Sequence, residues 1–524
     1  MAGVIDGSTL GVSEVVQFAR FPDTPTPSIS PEARKRVTAT RDLRRQLVAQ
    51  GEPIYGVTTG FGGSADHHIA PEDARDLQTG LLAFLGAGTG PEAPDEVVRA
   101  TMLIRSNCLA RGHSGVRPEV PETLLALLEH DILPVVPVRG SCGASGDLIP
   151  LASIASALCG TGMVRVRGQR VEAADAMDSV GLTALVLEAK EGLALTNGTS
   201  FMSAWACLAI ADGELLVHLA EVCTALAVMG TAGNPNHFHP FIHEQKGHPG
   251  QRDSAAQILR LLGGADNDAW TQADPSPSPG EVDRRARLVQ DRYSLRCAPH
   301  VIGVLRDTLT IARQWIEREI NATDDNPLFD AAAGMVHSGG NFYGGHIGQA
   351  MDSLKVAVAS VADLLDRQLA LLVDDRFSHG LPVNLSGATS GMHHGFKGMQ
   401  LACSAVTAEA LKVASSPATL FSRSTETHNQ DKVSFGTIAA RDAAAVLDLV
   451  LDVTSICLLA GAQAVDLRGV DLLPAPLASI HAEIRASSAM LIEDRRMAGD
   501  IASMRANLGG LSKLAQPADT AGGS

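Results

Sequence analysis

The residues best able to do unusual chemistry are three small ones in a row. Ala144-Ser145-Gly146 sit inside Gly140-Ser141-Cys142-Gly143-Ala144-Ser145-Gly146-Asp147-Leu148-Ile149-Pro150, and together they can be turned into an electrophile by the chain itself. If the amide nitrogen of Gly146 attacks the carbonyl carbon of Ala144 and two waters leave, a five-membered imidazolone closes. Ser145 then becomes a dehydroalanine with an exposed methylidene carbon. Gly146 has no Cβ to shield its nitrogen and tolerates the bent backbone that closure needs. Ser145 supplies the leaving hydroxyl, and Ala144 is small enough to allow contact. An isolated Ala-Ser-Gly is more often a plain turn, so the rest of the chain must decide.

Other stretches offer partners for such a group. Tyr55 heads Tyr55-Gly56-Val57-Thr58-Thr59-Gly60-Phe61-Gly62-Gly63-Ser64 and is one of three tyrosines in the protein. The glycines there predict a mobile loop rather than a helix or strand. A tyrosine has a solution pKa of about 10, so it acts as a base near neutrality only where positive or hydrogen-bonding surroundings stabilise phenolate. Asn197-Gly198-Thr199 reads as a turn. Gln290, Tyr293 and Arg296 lie three apart and share one face if their segment is helical. The histidines at 237, 239, 243 and 248 lack a carboxylate or thiol partner in a Gly/Pro-rich stretch and are read as structural.

The elements that must hold these residues are mostly helices. Of the 524 residues, 45% are hydrophobic and only 4% aromatic, which predicts a closely packed interior of Ala, Leu and Val. Ile302, Leu305, Leu309, Ala312 and Ile316 recur at helical spacing. So do Ile347, Met351, Leu354, Val358, Val361, Leu365, Gln368 and Leu372. Further helices are expected at 34–50, 77–85, 97–133, 151–160, 200–230, 398–416 and 437–465, with a hairpin around Gly168. A net charge of −16 argues against nucleic acid or an anionic membrane as partner. The N-terminal ten residues lack a signal-peptide pattern, and the long apolar segments carry Asp and Glu, so a cytoplasmic protein is expected. The eight cysteines are scattered without paired spacing and read as buried small side chains. The Ser-Pro run at 274–279 is expected to be a surface loop, and the small polar tail to fray.

Taken together, Tyr55–Gly62, Gly143–Leu151, Asn197-Gly198-Thr199, Gln290–Arg296, Asp325-Asn326-Pro327-Leu328, Gly339–Gly344 and His428–Asp431 resemble the aromatic amino acid ammonia-lyase and aminomutase family, over about residues 30 to 500. The resemblance implies a mainly α protein, a fumarase/aspartase-like long helical bundle with a smaller N-terminal domain at 1–195 that carries the electrophile. The bundle would follow at 196–510 and a flexible tail at 511–524. It also implies 4-methylideneimidazole-5-one, formed from Ala144, Ser145 and Gly146, as the only cofactor, and a homotetramer whose active sites draw on three subunits. By motif, Tyr55 takes the β-proton, Asn197 and Tyr293 lie beside the prosthetic group, and Arg296 pairs with the substrate carboxylate. Gln290, Asn326, Phe342, Lys397, Glu426 and Asn429 match binding positions, with Glu426 a partner for the ammonium group.

Two positions speak to the substrate within that family. Phe84-Leu85 matches the phenylalanine-selective pattern, and a phenol hydroxyl facing Phe84 would be buried without a partner at a cost of about 1–3 kcal/mol. Gln430 replaces the glutamate of histidine-specific members. The expectation is therefore a phenylalanine ammonia-lyase releasing trans-cinnamate. A phenylalanine 2,3-aminomutase, a tyrosine ammonia-lyase and a helical scaffold without catalysis are the alternatives, the last disfavoured by the complete set Tyr55, Ser145, Asn197, Tyr293 and Arg296.

Overall fold

A computed structural model describes residues 3–264, 290–388 and 391–516. The Ser-Pro run lies outside them. Four long helices dominate: Ser200–Gly230, Ala298–Glu319, Gly345–Leu372 and Gly436–Arg468. They contain no proline beyond the first turn and are rich in alanine and leucine, so nothing interrupts their backbone ladders. The two periodic stripes read from sequence are their buried faces, from Ile302 to Ile316 and from Ile347 to Leu372. Gln368 belongs to that second stripe for a polar reason, given below. Gly436–Arg468 is long and apolar enough to cross a bilayer, yet 72% of its most apolar window is buried inside the protein.

The chain folds as two compact units. One comprises 1–211, 312–352 and 417–444, the other 212–311, 353–416 and 445–524. This differs from a boundary at 195/196, because residues 312–352 and 417–444 return to pack with the N-terminal part. The last helix runs Ala498–Ala515, so the expected tail beginning at 511 is helical as far as 515. Leu508, Leu511 and Ala515 are buried there, and that burial keeps the end from fraying.

In the first unit, Pro31–Ala49 starts with proline at its first position and Ser30 as cap, the Ser30 hydroxyl accepting from the Ala33 N–H at 3.0 Å. The expected hairpin is Met163–Val166 paired antiparallel with Gln169–Glu172. Ile132–Pro134 adds a third strand, with Ile132 opposite Val166. Arg167 and Gly168 both have positive φ, the turn a two-residue hairpin needs. In the second unit, Glu221 is fully buried and Arg306 grips it with two hydrogen bonds of 2.9 and 3.0 Å. The two parallel bonds offset much of the cost of burying the carboxylate.

Candidate active site

The Ala144-Ser145-Gly146 loop is held from three sides within the first unit. The Cys142 carbonyl accepts from the Phe435 N–H, and the Gly143 carbonyl accepts from both the N–H and the hydroxyl of Ser434, each at 3.2 Å. Beyond the loop, Ser145 and Asp147 are bridged to Gly198. The Gly198 N–H donates to the Ser145 carbonyl at 3.2 Å, and the Asp147 N–H donates to the Gly198 carbonyl at 2.7 Å. A Cβ on Gly146 would stand 2.0 Å from that carbonyl oxygen, and Gly146 has φ +73°, so both contact and conformation require glycine there. The helix after the loop is Leu148–Leu158. It starts three residues earlier than predicted, and the Ser145 carbonyl is met by the Gly198 N–H rather than by that helix's N-terminus.

Asp147 caps this arrangement from inside. Its carboxylate is fully buried and accepts from the Met202 N–H at 2.8 Å, the Ser141 hydroxyl at 2.9 Å and the Thr437 hydroxyl. Burial pushes its pKa up to about 6 against the lowering effect of those hydrogen bonds. The motif containing Asp147 was legible in sequence; its role as a hub tying the loop to 202 and 437 was not.

Gln430 meets the reacting residues. The Gln430 amide nitrogen donates to the Ser145 hydroxyl oxygen at 3.3 Å, and its carbonyl accepts from the Thr425 hydroxyl at 2.8 Å. Asn197 ends the Glu191–Thr196 helix, and its side-chain carbonyl is buried with no hydrogen-bond partner among the described residues. A buried acceptor left unpaired next to Gly198 marks a place where a donor belongs.

Tyr55 is half-buried, packed with Phe61 against a cluster of Leu81, Leu85, Ala152 and Leu193. The loop it heads is tied down rather than open. The Gly62 N–H donates to the Tyr55 hydroxyl at 2.9 Å, Gln78 donates to the Gly56 carbonyl at 2.9 Å, and the Ile69 N–H donates to the Thr58 carbonyl at 2.9 Å. Burial raises the Tyr55 phenol above its ordinary pKa and the Glu426 carboxylate raises it further, while the Gly62 N–H alone acts to lower it. Glu426 begins a run of three non-glycine residues with positive φ, Glu426, Thr427 and His428. Such strained runs persist where the surrounding structure fixes them.

The remaining predicted residues separate into three groups. Leu85 is buried beside Tyr55, whereas the neighbouring Phe84 ring is 55% exposed. Asn326 is buried and accepts from the Gly339 N–H at 2.7 Å, so it anchors the loop carrying Phe342. Phe342 is partly buried, and Asn429 is exposed close to Glu426. In the second unit the polar stripe is shorter than a face: the helix spans only Tyr293–Arg296, and Gln290 lies exposed before it. Tyr293 is 71% exposed, with the Arg296 guanidinium 4.5 Å from its ring centre and donating to the Asp291 carbonyl at 3.0 Å. Gln368, read from sequence only as a stripe position, donates to the Ser294 carbonyl and the Thr224 hydroxyl, both at 2.9 Å, and thereby positions this turn. Lys397 is the exposed first residue of the Lys397–Ala414 helix.

Residues 10–486 match the aromatic amino acid lyase family. The chain is 38% identical to a histidine ammonia-lyase of Stigmatella aurantiaca, covering 96% of this chain and 95% of that one. It is 40% identical to the histidine ammonia-lyase of Gloeobacter violaceus, covering 95% and 94%. Among solved structures, the tyrosine aminomutase of Streptomyces globisporus superimposes with a TM-score of 0.91 at 34% identity, covering 98% of each chain.

These curated relatives overturn the expectation of a phenylalanine enzyme, with its aminomutase and tyrosine alternatives. That expectation rested on Phe84-Leu85 and Gln430. In the folded chain Gln430 is engaged by Ser145 and Thr425, and Phe84 lies open at the surface. Two positions carry less weight than similarity along nearly the whole sequence.

Proposed function

Because the chain belongs to the aromatic amino acid lyase family, we propose that it eliminates ammonia from histidine to give the corresponding α,β-unsaturated imidazole acid. The observation that carries this reading is the near-full-length identity to histidine ammonia-lyases, joined to a loop whose geometry suits self-cyclisation. Among the described residues no acceptor engages the Gly146 N–H, so its nitrogen is free to bond to the Ala144 carbonyl carbon. One water takes the Ala144 oxygen with the amide hydrogens of Ser145 and Gly146, and the second takes the Ser145 hydroxyl with its α-hydrogen. Gln430 donates to that leaving hydroxyl, and Asn197 offers an unpaired acceptor nearby. These features fit 4-methylideneimidazole-5-one as the prosthetic group.

When formed, that group supplies an electrophilic carbon for the substrate amine, which is otherwise a poor leaving group. The protein's own side chains do the rest. As phenolate, the Tyr55 oxygen takes the β-proton as the Cα–N bond breaks and the double bond forms. The burial that keeps its phenol high in the chain must be offset when substrate binds, and the Gly62 N–H supplies part of that. Arg296 binds the substrate carboxylate as a planar fork that lysine cannot copy, and Glu426 receives the ammonium. The exposure of Tyr293 and Phe84 in the single chain supports a homotetramer in which other copies complete each site. Tyr293 then stands with Asn197 beside the prosthetic group, and Gln290, Asn326, Phe342, Lys397 and Asn429 surround the ligand.

The test is to give the purified protein histidine, phenylalanine and tyrosine separately and measure ammonia, the unsaturated acid and any β-amino acid. Preferential release of ammonia and the imidazole acid from histidine supports the reading. Turnover confined to another amino acid, or a β-amino acid product, refutes it.

A further inference from the structure

Beneath Asn197-Gly198-Thr199 lies an ion pair that touches no reacting atom. Arg105, on the Asp95–Ala110 helix, and Asp324 are almost wholly shielded from solvent, with side-chain exposures of 1% and 2% and a separation of 2.9 Å. Asp324 also accepts from the Cys108 thiol, and the pair's other hydrogen bonds run to residues on both sides of Gly198. Arg105 donates through its second terminal nitrogen to the Ala194 carbonyl at 2.6 Å. Asp324 accepts from the Thr199 N–H at 2.6 Å and from the Thr199 hydroxyl at 2.8 Å. A Cβ on Gly198 would fall 2.0 Å from the Arg105 nitrogen, so the pair presses directly on the peptide that carries the two hydrogen bonds to Ser145 and Asp147.

We propose that Arg105 and Asp324 are positioning residues for the cyclisation of Ala144-Ser145-Gly146: they clamp the 194–199 backbone so that Gly198 holds the Ser145 carbonyl and the Asp147 N–H in fixed places. The inference rests on the self-cyclisation reading above and adds to it the reason the loop is bent for closure. Gly146 lies between the two residues bridged to Gly198, and its own N–H is left unengaged. A 194–199 segment free to shift would let Gly146 relax away from Ala144. Rates of this kind of ring closure respond steeply to position, since a misplacement near 1 Å can cost about 100-fold.

A second buried pair provides the control. Lys190 and Asp325 are 2.6 Å apart with both side chains fully buried, yet neither bonds to the backbone of 197–199. Breaking either pair leaves an uncompensated buried charge, so Asp324→Asn and Asp325→Asn should both lower stability. Only the first should disturb the loop.

The experiment measures intact mass during expression of the full chain, scoring the fraction that has lost two waters, with helical content and thermal midpoint recorded alongside. In the unaltered protein most chains should lack two waters; if none do, the cyclisation reading itself falls and this inference with it. Asp324→Asn is expected to slow ring formation at least about tenfold, the lower end of what such a misplacement costs, while Asp325→Asn cyclises like the unaltered chain at a similarly lowered midpoint. Arg105→Lys keeps the charge opposite Asp324 but loses the fork to Ala194, so it should fold and still cyclise slowly, and it decides the matter if Asp324→Asn is insoluble. Cyclisation at the unaltered rate in Arg105→Lys or Asp324→Asn, or equal slowing in Asp325→Asn, overturns the proposal.

Discussion

The loop at Ser145 and the turn at Tyr293–Arg296 are both short connections bearing polar side chains, but the folded chain treats them differently. The first is locked by buried groups: Asp147 ties it to Met202, Ser141 and Thr437, and Gly198 grips it from a turn that Arg105 and Asp324 hold in place. The second is anchored by buried Leu295 and by Gln368 on the Ser294 carbonyl, and it shows Tyr293 to solvent with Arg296 stacked on it. The lesson concerns what each must do. A group that must react with its own backbone has to be fixed before any ligand arrives, whereas a group that receives a ligand can be organised by binding and assembly.

That contrast can be broken or sharpened by substitution. Ser145→Ala should abolish ammonia release and prevent the loss of the second water, with the fold intact by circular dichroism; retained turnover would remove the loop from the chemistry. Tyr55→Phe deletes the proposed proton acceptor and should lower kcat by about 10²–10⁴-fold, the usual reach of a positioned acid or base, while cyclisation measured by mass proceeds normally. Arg296→Lys on the exposed turn should act chiefly on binding, raising KM about 10- to 100-fold through loss of a charge-assisted fork worth about 1.5–3 kcal/mol. An equal fall in kcat would show that the turn is as tightly coupled to the chemistry as the loop.

Two smaller effects probe burial. Glu319 and Asp324 share the single Thr199 hydroxyl hydrogen, each 2.8 Å from that oxygen, and burial pushes the Glu319 carboxyl up to about 7 against this shared bond. The folded chain therefore holds this proton more tightly than the unfolded one. Its contribution to stability is complete below the ordinary glutamate range of about 4 and is lost as pH rises through about 7. Glu319→Gln should flatten the pH dependence of the thermal midpoint across that window, leaving the shallower part due to Asp147. An unchanged profile would show that Glu319 is not the group responsible. Phe84→Ala should change stability by no more than about 0.5 kcal/mol, as for other exposed positions. A loss of about 3 kcal/mol or more, as for a buried ring, would show that another copy covers Phe84.

Periodicity was enough to place the long helices, since the stripes at 302–316 and 347–372 are each contained in one element and repeat locally. It misjudged the Tyr55 loop because four glycines describe what the backbone can do. They do not reveal that Gln78 and residues 67–69 hold it. It overextended the stripe at 290–296 because a spacing of three is shared by helices and by short turns. Gln430 was misread for a further reason: its meaning depends on which way the amide points, and that is set by Thr425 and Ser145.

The order of residues alone determined the reactive tripeptide and the family, because ring closure joins neighbouring peptides and needs only their identities. It also determined the helical class, which follows from composition and a repeat of three to four residues. Only the tertiary structure brought Arg105 to Asp324 across 219 residues, Gln430 to Ser145 across 285 and Thr437 to Asp147 across 290. Those contacts join groups with no local pattern between them, and burial alone makes them strong enough to hold a backbone still.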